Sequence, residues 1–138
     1  MEEPAGQIIL VNSKNITIRN QNISNVEVGI ELWKTNNTKI KNNTIKSNVW
    51  YGMYLRYSCG NSIYNNTIQN NDRDGMILRS SYGNSIYGNT IQNNWDGIRL
   101  DYSDGNSIYG NTIQNNSQHG VGLYLSDGNS IYNNTIKS

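Results

Sequence analysis

Isoleucine returns along this chain in columns spaced 22 or 23 residues apart. One column holds Ile18, Ile40, Ile63, Ile86, Ile108 and Ile131, and a second holds Ile23, Ile45, Ile68, Ile91, Ile113 and Ile136. A third position carries the pairs Ile8/Leu10, Ile30/Leu32, Met53/Leu55, Met76/Leu78, Ile98/Leu100 and Val121/Leu123. Six copies of one unit therefore fill nearly the whole chain. The repeat is plainest in the dodecamer GNSIYGNTIQNN, which occupies Gly83–Asn94 and again Gly105–Asn116. A period of this length marks a solenoid, a propeller or an array of small units.

Each unit contains three short alternating apolar pieces, none long enough for a helix. Val, Ile, Thr and Tyr favour strands. Three short strands per turn predict an all-β fold, a right-handed, single-stranded parallel β-helix of six turns. A propeller blade needs about 40 residues, and a leucine-rich repeat needs its own Leu pattern and a helix. The expected organisation is one domain over residues 7–138, preceded by an edge segment over residues 1–6. The first side of the helix is the Gly-x-x-Leu piece, as in Gly97–Leu100; the second is Asn106–Tyr109 and the third Thr112–Gln114. Alternation turns Ile98, Leu100, Ile108 and Ile113 inward, and Arg99, Ser107, Tyr109, Thr112 and Gln114 outward.

Asparagine, the commonest residue, then takes specific places. The position after the second side reads Asn20, Asn42, Asn65, Gly88, Gly110, Asn133, only the two residue types that accept a left-handed backbone cheaply. The following position reads Gln21, Asn43, Asn66, Asn89, Asn111, Asn134, and amides stacked at the rung spacing can bond along the rod as a structural ladder. A second ladder is expected at the end of the third side, over Asn25, Asn48, Asn71, Asn94 and Asn116.

Net charge is +1 and charged residues make up 15% of the chain, with no basic stripe, so nucleic acid is not an expected partner. No apolar run reaches membrane-spanning length, and membrane insertion is not expected. Cys59 is alone, which excludes an internal disulfide and a thiolate metal cluster. The first residues lack the pattern of a signal peptide, and the expected location, extracellular or cell-surface, requires a signal outside this sequence. Glu2, Glu3 and Pro4 discourage strand addition at one end, while Ile136 is followed only by Lys137 and Ser138. Self-association through this C-terminal rung is therefore an expectation.

The stretches NNTIKSN, GMILRSSYGNSIYGNTI and GIRLDYSDGNSIYGNTI resemble the parallel β-helix repeats of the NosD family and of archaeal surface proteins, over residues 6–138. The resemblance implies the fold and a range of roles: carbohydrate binding, sugar hydrolysis, and a periplasmic accessory role for a copper enzyme. Copper needs clustered soft donors. Met53 and Met76 fall in inward columns, Cys59 is alone and His119 is the only histidine, so neither a metal nor another cofactor is expected.

Two groups of residues carry the functional expectations. The residue before each side-one glycine reads Val28, Tyr51, Asp74, Asp96, His119, which places Asp74, Asp96 and His119 on successive rungs near Arg79, Arg99 and Asp101. Paired carboxylates are what glycoside hydrolysis requires, although Asp before Gly is also an ordinary turn former. The second group is the outward column Tyr64, Tyr87, Tyr109, Tyr132, whose rings suit a sugar face or a protein surface. Tyr54, Trp33, Tyr57, Tyr102 and Tyr124 on or beside the first side, and Trp50, Tyr51 and Trp95 in loops, add further rings. The favoured function is structural or recognition, through assembly or adhesion, with a glycan or a surface protein as partner. The alternatives are a polysaccharide hydrolase or lyase using Asp74, Asp96 and His119, and an accessory protein of metalloenzyme maturation.

Overall fold

A computed structural model describes residues 6–138; the expected edge segment, apart from Gly6, lies outside the described residues. Eighteen short strands form three parallel six-stranded sheets, and no helix is present among the described residues. Sheet 1 contains Ile8–Val11, Val28–Trp33, Tyr51–Arg56, Met76–Arg79, Ile98–Asp101 and Val121–Tyr124. Sheet 2 contains Thr17–Arg19, Lys39–Lys41, Ser62–Tyr64, Ser85–Tyr87, Ser107–Tyr109 and Ser130–Tyr132. Sheet 3 contains Asn22–Ser24, Thr44–Lys46, Thr67–Gln69, Thr90–Gln92, Thr112–Gln114 and Thr135–Lys137. Each strand pairs with the strand one turn away, so the molecule is a parallel β-solenoid of six turns with three strands per turn.

The register follows the columns of the sequence: Met53 pairs with Met76, Met76 with Ile98, and Ile63 with Ile86. The inward columns form a single core in which Ile30, Leu32, Ile40, Ile45, Leu55 and Ile63 are fully buried. Each buried Ile contributes roughly 2 kcal/mol, but a single turn cannot cover its own apolar face. The turns stabilise one another by stacking.

The expected corner is left-handed throughout: φ is 56° at Asn42, 55° at Asn65, 64° at Gly88 and 63° at Gly110. The expected amide ladder is continuous. Asn43, Asn66, Asn89 and Asn111 each donate Nδ2–H to the Oδ1 of the next Asn, at 3.0 Å in every case. One position of the second ladder needs correction. Its first member is Val26, whose backbone N–H donates to Asn48 Oδ1; Asn25 falls one residue earlier, at a corner with φ 59° in line with Ser47 and Asn70. Asn25 is recruited by its tolerance of positive φ, whereas Asn48 is recruited by its amide. Two more ladders accompany these. One runs through Asn61, Asn84, Asn106 and Asn129, and the other passes backbone N–H to hydroxyl along Thr35, Ser58, Ser81, Ser103 and Ser126.

Candidate functional site on the outer face of sheet 1

After the first two rungs, which carry Thr17/Arg19 and Lys39/Lys41 on sheet 2 and Asn22/Ser24 and Thr44/Lys46 on sheet 3, the outer faces of these two sheets repeat closely. Sheet 2 shows Ser and Tyr on four successive rungs, and sheet 3 shows Thr with Gln on three. The outer face of sheet 1 does not repeat. One outward column reads Ile9, Glu31, Tyr54, Ile77, Arg99, Gly122, and another reads Val11, Trp33, Arg56, Arg79, Asp101, Tyr124. Architecture asks the same of every rung, so the face that abandons the repeat answers to something other than architecture.

Asp74, Asp96 and His119 do stack beside this face on successive rungs. The Asp96 N–H donates to Asp74 Oδ1 at 3.3 Å, and the His119 N–H donates to Asp96 Oδ1 at 2.9 Å. His119 Nδ1 also lies 2.9 Å from that oxygen. Both aspartates are 3% exposed. Burial raises the Asp74 carboxyl from 3.8 to about 6; the neighbouring charge of Asp96 adds to the rise, and Arg99 opposes it. Asp101 stands between two guanidiniums, 3.2 Å from Arg79 Nη2 and 2.9 Å from Arg99 Nε. The bond to Asp101 raises the Arg99 pKa further.

Aromatic rings are woven through the same face. The Arg56 guanidinium lies 4.5 Å from the Trp33 ring centre and 5.2 Å from that of Tyr57, and Arg99 lies 4.8 Å from Tyr124. Tyr51 and Tyr54 are inclined to each other at 5.7 Å. Ile77 points outward yet is only 1% exposed, so larger neighbours cover it. A cleft of about 320 Å³ opens among Trp50, Tyr51, Tyr54, Glu31 and Arg79. Beside it, a cleft of about 380 Å³ is lined by Asp72, Arg73 and Trp95.

The Tyr64, Tyr87, Tyr109, Tyr132 column is present on sheet 2, but its geometry limits what it can hold. Successive rings stack at 4.8, 5.0 and 5.0 Å with interplanar angles of 3–7°. Their faces cover one another, so a ligand there meets ring edges and a row of hydroxyls. A sugar has no ring face to stack on between them.

Reading by columns of chemistry brought Asp74, Asp96, His119, Arg79, Arg99 and Asp101 together. It missed that Trp50, Arg73 and Trp95 share a column, and it missed Arg56. The signal was present in the spacing: Trp50, Arg73 and Trp95 stand 23 and 22 residues apart, the period of the repeat.

The family model for NosD, described as periplasmic copper-binding protein (NosD), matches residues 1–138. No curated protein matches the chain significantly. Among solved structures, a mutant of the periplasmic alginate epimerase AlgG is similar with a TM-score of 0.83 and 25% identity, over 86% of this chain and 29% of the epimerase chain. The enzymatically active domain of tailspike protein 2 from bacteriophage CBA120 gives a TM-score of 0.66 at 14% identity, over 85% of this chain and 22% of that one. The A-module of the Azotobacter vinelandii mannuronan C-5 epimerase AlgE6 gives 0.55 at 16%, over 96% and 47%. This chain thus spans less than a third of the first of these relatives, and the two at lower identity share the fold.

The copper in the family description can be tested against the donors. Met53 and Met76 are paired across two rungs and sealed in the core with no solvent access. The imidazole Nδ1 of His119 is taken by Asp96, and Cys59 sits at the corner between sheets 1 and 2. Among the described residues no three His, Cys, Asp or Glu side chains converge. The soft donors are therefore dispersed, and the residues do not fit a copper site. Among the described residues no helix is long and apolar enough to cross a membrane.

Proposed function

The chain belongs to the NosD family, and on that premise we propose that it is a recognition module, acting outside the cytoplasm, whose sheet 1 outer face holds a glycan. The observation that carries the proposal is that the outer face of sheet 1 goes on varying over the last four rungs, where the other two faces repeat. Rings and guanidiniums replace the monotone Ser, Thr, Tyr and Gln of the other two faces. Apolar ring faces suit the C–H faces of pyranoses, while Arg and Asp suit hydroxyls and carboxylates. The similarity at 25% identity to an alginate epimerase supports a glycan as the ligand class. The hydroxyl row of the sheet 2 tyrosines is a second, shallower contact surface for a glycan or a surface protein.

Affinity electrophoresis against a panel of polysaccharides tests this reading. Retention by at least one polysaccharide is expected to weaken in the double variant Tyr51→Ala/Tyr54→Ala and to change less in Tyr87→Ala/Tyr109→Ala. Retention indifferent to the sheet 1 pair would remove the proposal.

A second reading rests on a different observation, the linked series Asp74, Asp96, His119. A carboxyl titrating near 6 beside a carboxylate–imidazole pair is suited to giving and taking protons on a bound sugar. In that case the same panel yields released or unsaturated products, and Asp96→Asn abolishes their release while leaving retention in place.

A further inference from the structure

A column of two indoles and a guanidinium runs beside sheet 1. At the corner between sheets 3 and 1, the N–H of Arg73 donates to Trp50 O at 2.9 Å, and the N–H of Trp95 donates to Arg73 O at 2.8 Å. Trp50, Arg73 and Trp95 therefore occupy one position on three successive rungs. Both indoles stand out from the rod, at 48% and 52% exposed. Neither is engaged by another ring among the described residues, unlike the tyrosines of sheet 2. Arg73 is exposed and makes no ion pair among the described residues, whereas Arg79 and Arg99 are both committed to Asp101. Each of the two clefts is lined by one of these indoles.

Given the glycan reading above, on which this inference rests, we infer that this column selects an acidic, β-1,4-linked polysaccharide lying along the rod axis. The stacked tyrosines measure one rung as 4.8–5.0 Å, so the two indoles repeat at two rungs. An equatorially β-1,4-linked pyranose chain advances by close to one rung per sugar. Its successive sugars are turned over, so sugars one and three present the same face while sugar two presents the opposite one. Two tryptophans at two-rung spacing thus meet equivalent faces. The residue between them meets a turned sugar, and there the column places an unpaired guanidinium, the group best matched to a carboxylate. An α-1,4-linked chain, which winds with a different advance and bonds axially, does not keep this register.

The test uses three probes of equal chain length in titration calorimetry: polyglucuronate (β-1,4, acidic), cello-oligosaccharide (β-1,4, neutral) and polygalacturonate (α-1,4, acidic). Polyglucuronate is expected to bind best, and loss of either charge or linkage to weaken binding by about tenfold. Trp50→Ala and Trp95→Ala, both on the surface, are each expected to weaken polyglucuronate and cello-oligosaccharide by about tenfold. Arg73→Gln is expected to remove the preference for the acidic probe while leaving the neutral one unchanged. Circular dichroism checks that each variant keeps its sheets. Equal binding of polygalacturonate, or polyglucuronate binding untouched by the three substitutions, overturns the inference. If the pair Tyr51→Ala/Tyr54→Ala still weakens a bound glycan in that event, the sheet 1 reading survives. If no polysaccharide in the wider panel binds, both fall.

Discussion

Asp96 Oδ1 meets two nitrogens of one residue: it accepts the backbone N–H of His119 and lies against the ring Nδ1, each at 2.9 Å. One rung away, Asp74 Oδ1 accepts only the N–H of Asp96, at 3.3 Å. Two carboxyls at equivalent places in the repeat are thus served unequally, and burial raises the pKa of Asp74.

The buried Asp74 carboxyl predicts a pH dependence of stability. The Asp74 carboxyl is raised from 3.8 to about 6 by burial and by Asp96, with Asp101 adding to the rise and Arg99 opposing it. Because the folded value lies above the unfolded one, the folded chain binds the proton more tightly. Stability from this group is complete below about pH 4 and is lost as pH rises through about 6. Denaturation midpoints of the wild type should therefore fall between pH 4 and pH 6.5, by on the order of 2 kcal/mol. Asp74→Asn, which cannot ionise, should flatten that fall; an unchanged slope in the variant would place the titration elsewhere.

A tight contact sets the second prediction. A Cβ added at Gly75 would come within 2.8 Å of Gly97 O, 2.7 Å of Ile91 Cγ2 and 2.9 Å of Asn94 Nδ2. The first of these is backbone that belongs to the next rung and cannot move alone. Gly75→Ala should cost about 1–3 kcal/mol, against roughly a few tenths for Gly83→Asn, where nothing lies within 4 Å and Asn tolerates the positive φ. Equal midpoints for the two variants in urea would show that the rungs have slack at this corner.

The fold was legible because burial is periodic. Ile18 to Ile131 and Ile23 to Ile136 each mark an inward place on every turn, and one column suffices to set the register of a whole sheet. Corners were legible wherever the residue type itself carries the constraint, as at Asn65 and Gly88. They were opaque where a bulky residue is forced into positive φ by its neighbours, as at Tyr57 (51°) and Tyr102 (50°). Asn25 was misplaced by one residue because Asn serves both as a corner and as an amide rung, and sequence alone does not separate the two. The site was half legible. The Asp74, Asp96, His119 column could be read from its chemistry, whereas the mutual covering of the Tyr64–Tyr132 rings depends on rotamers that spacing does not determine.

The corner at Gly88 gives a sharper test of backbone conformation. Its φ is +64°, and the one close contact of an added Cβ would be Asn65 Oδ1, at 2.7 Å, the end of a movable side chain. Asn occupies the same corner at Asn65 and Asn133. Gly88→Asn should therefore be mild, while Gly88→Val, whose branched side chain resists positive φ, should cost more than about 1 kcal/mol. The two variants unfolding at the same urea concentration would contradict a left-handed corner.

The last prediction separates two amide ladders that look alike in the sequence. Asn89 is 1% exposed, and its side chain takes part in four bonds. It donates Nδ2–H to Ile63 O at 2.9 Å and to Asn111 Oδ1 at 3.0 Å, and its Oδ1 accepts from Asn66 N at 2.9 Å and from Asn66 Nδ2 at 3.0 Å. Gln92 also joins a ladder, donating to Gln69 Oε1 and accepting from Gln114 Nε2, both at 2.8 Å, but it stands on the half-exposed outer face of sheet 3. Truncating Asn89 leaves a buried N–H and a buried carbonyl with no water to turn to, each costing about 1–3 kcal/mol. Truncating Gln92 frees groups that solvent can satisfy. Asn89→Ala should thus lose on the order of 3 kcal/mol and Gln92→Ala less than about 1 kcal/mol. Asn89→Asp should be worse at pH 7 than at pH 4, because its ionised oxygen would face the carbonyl of Ile63 and the Oδ1 of Asn111 where Nδ2–H now donates. Equal losses from Asn89→Ala and Gln92→Ala would mean that the inner amides are no more than turn formers, and that the apolar columns alone hold the turns together.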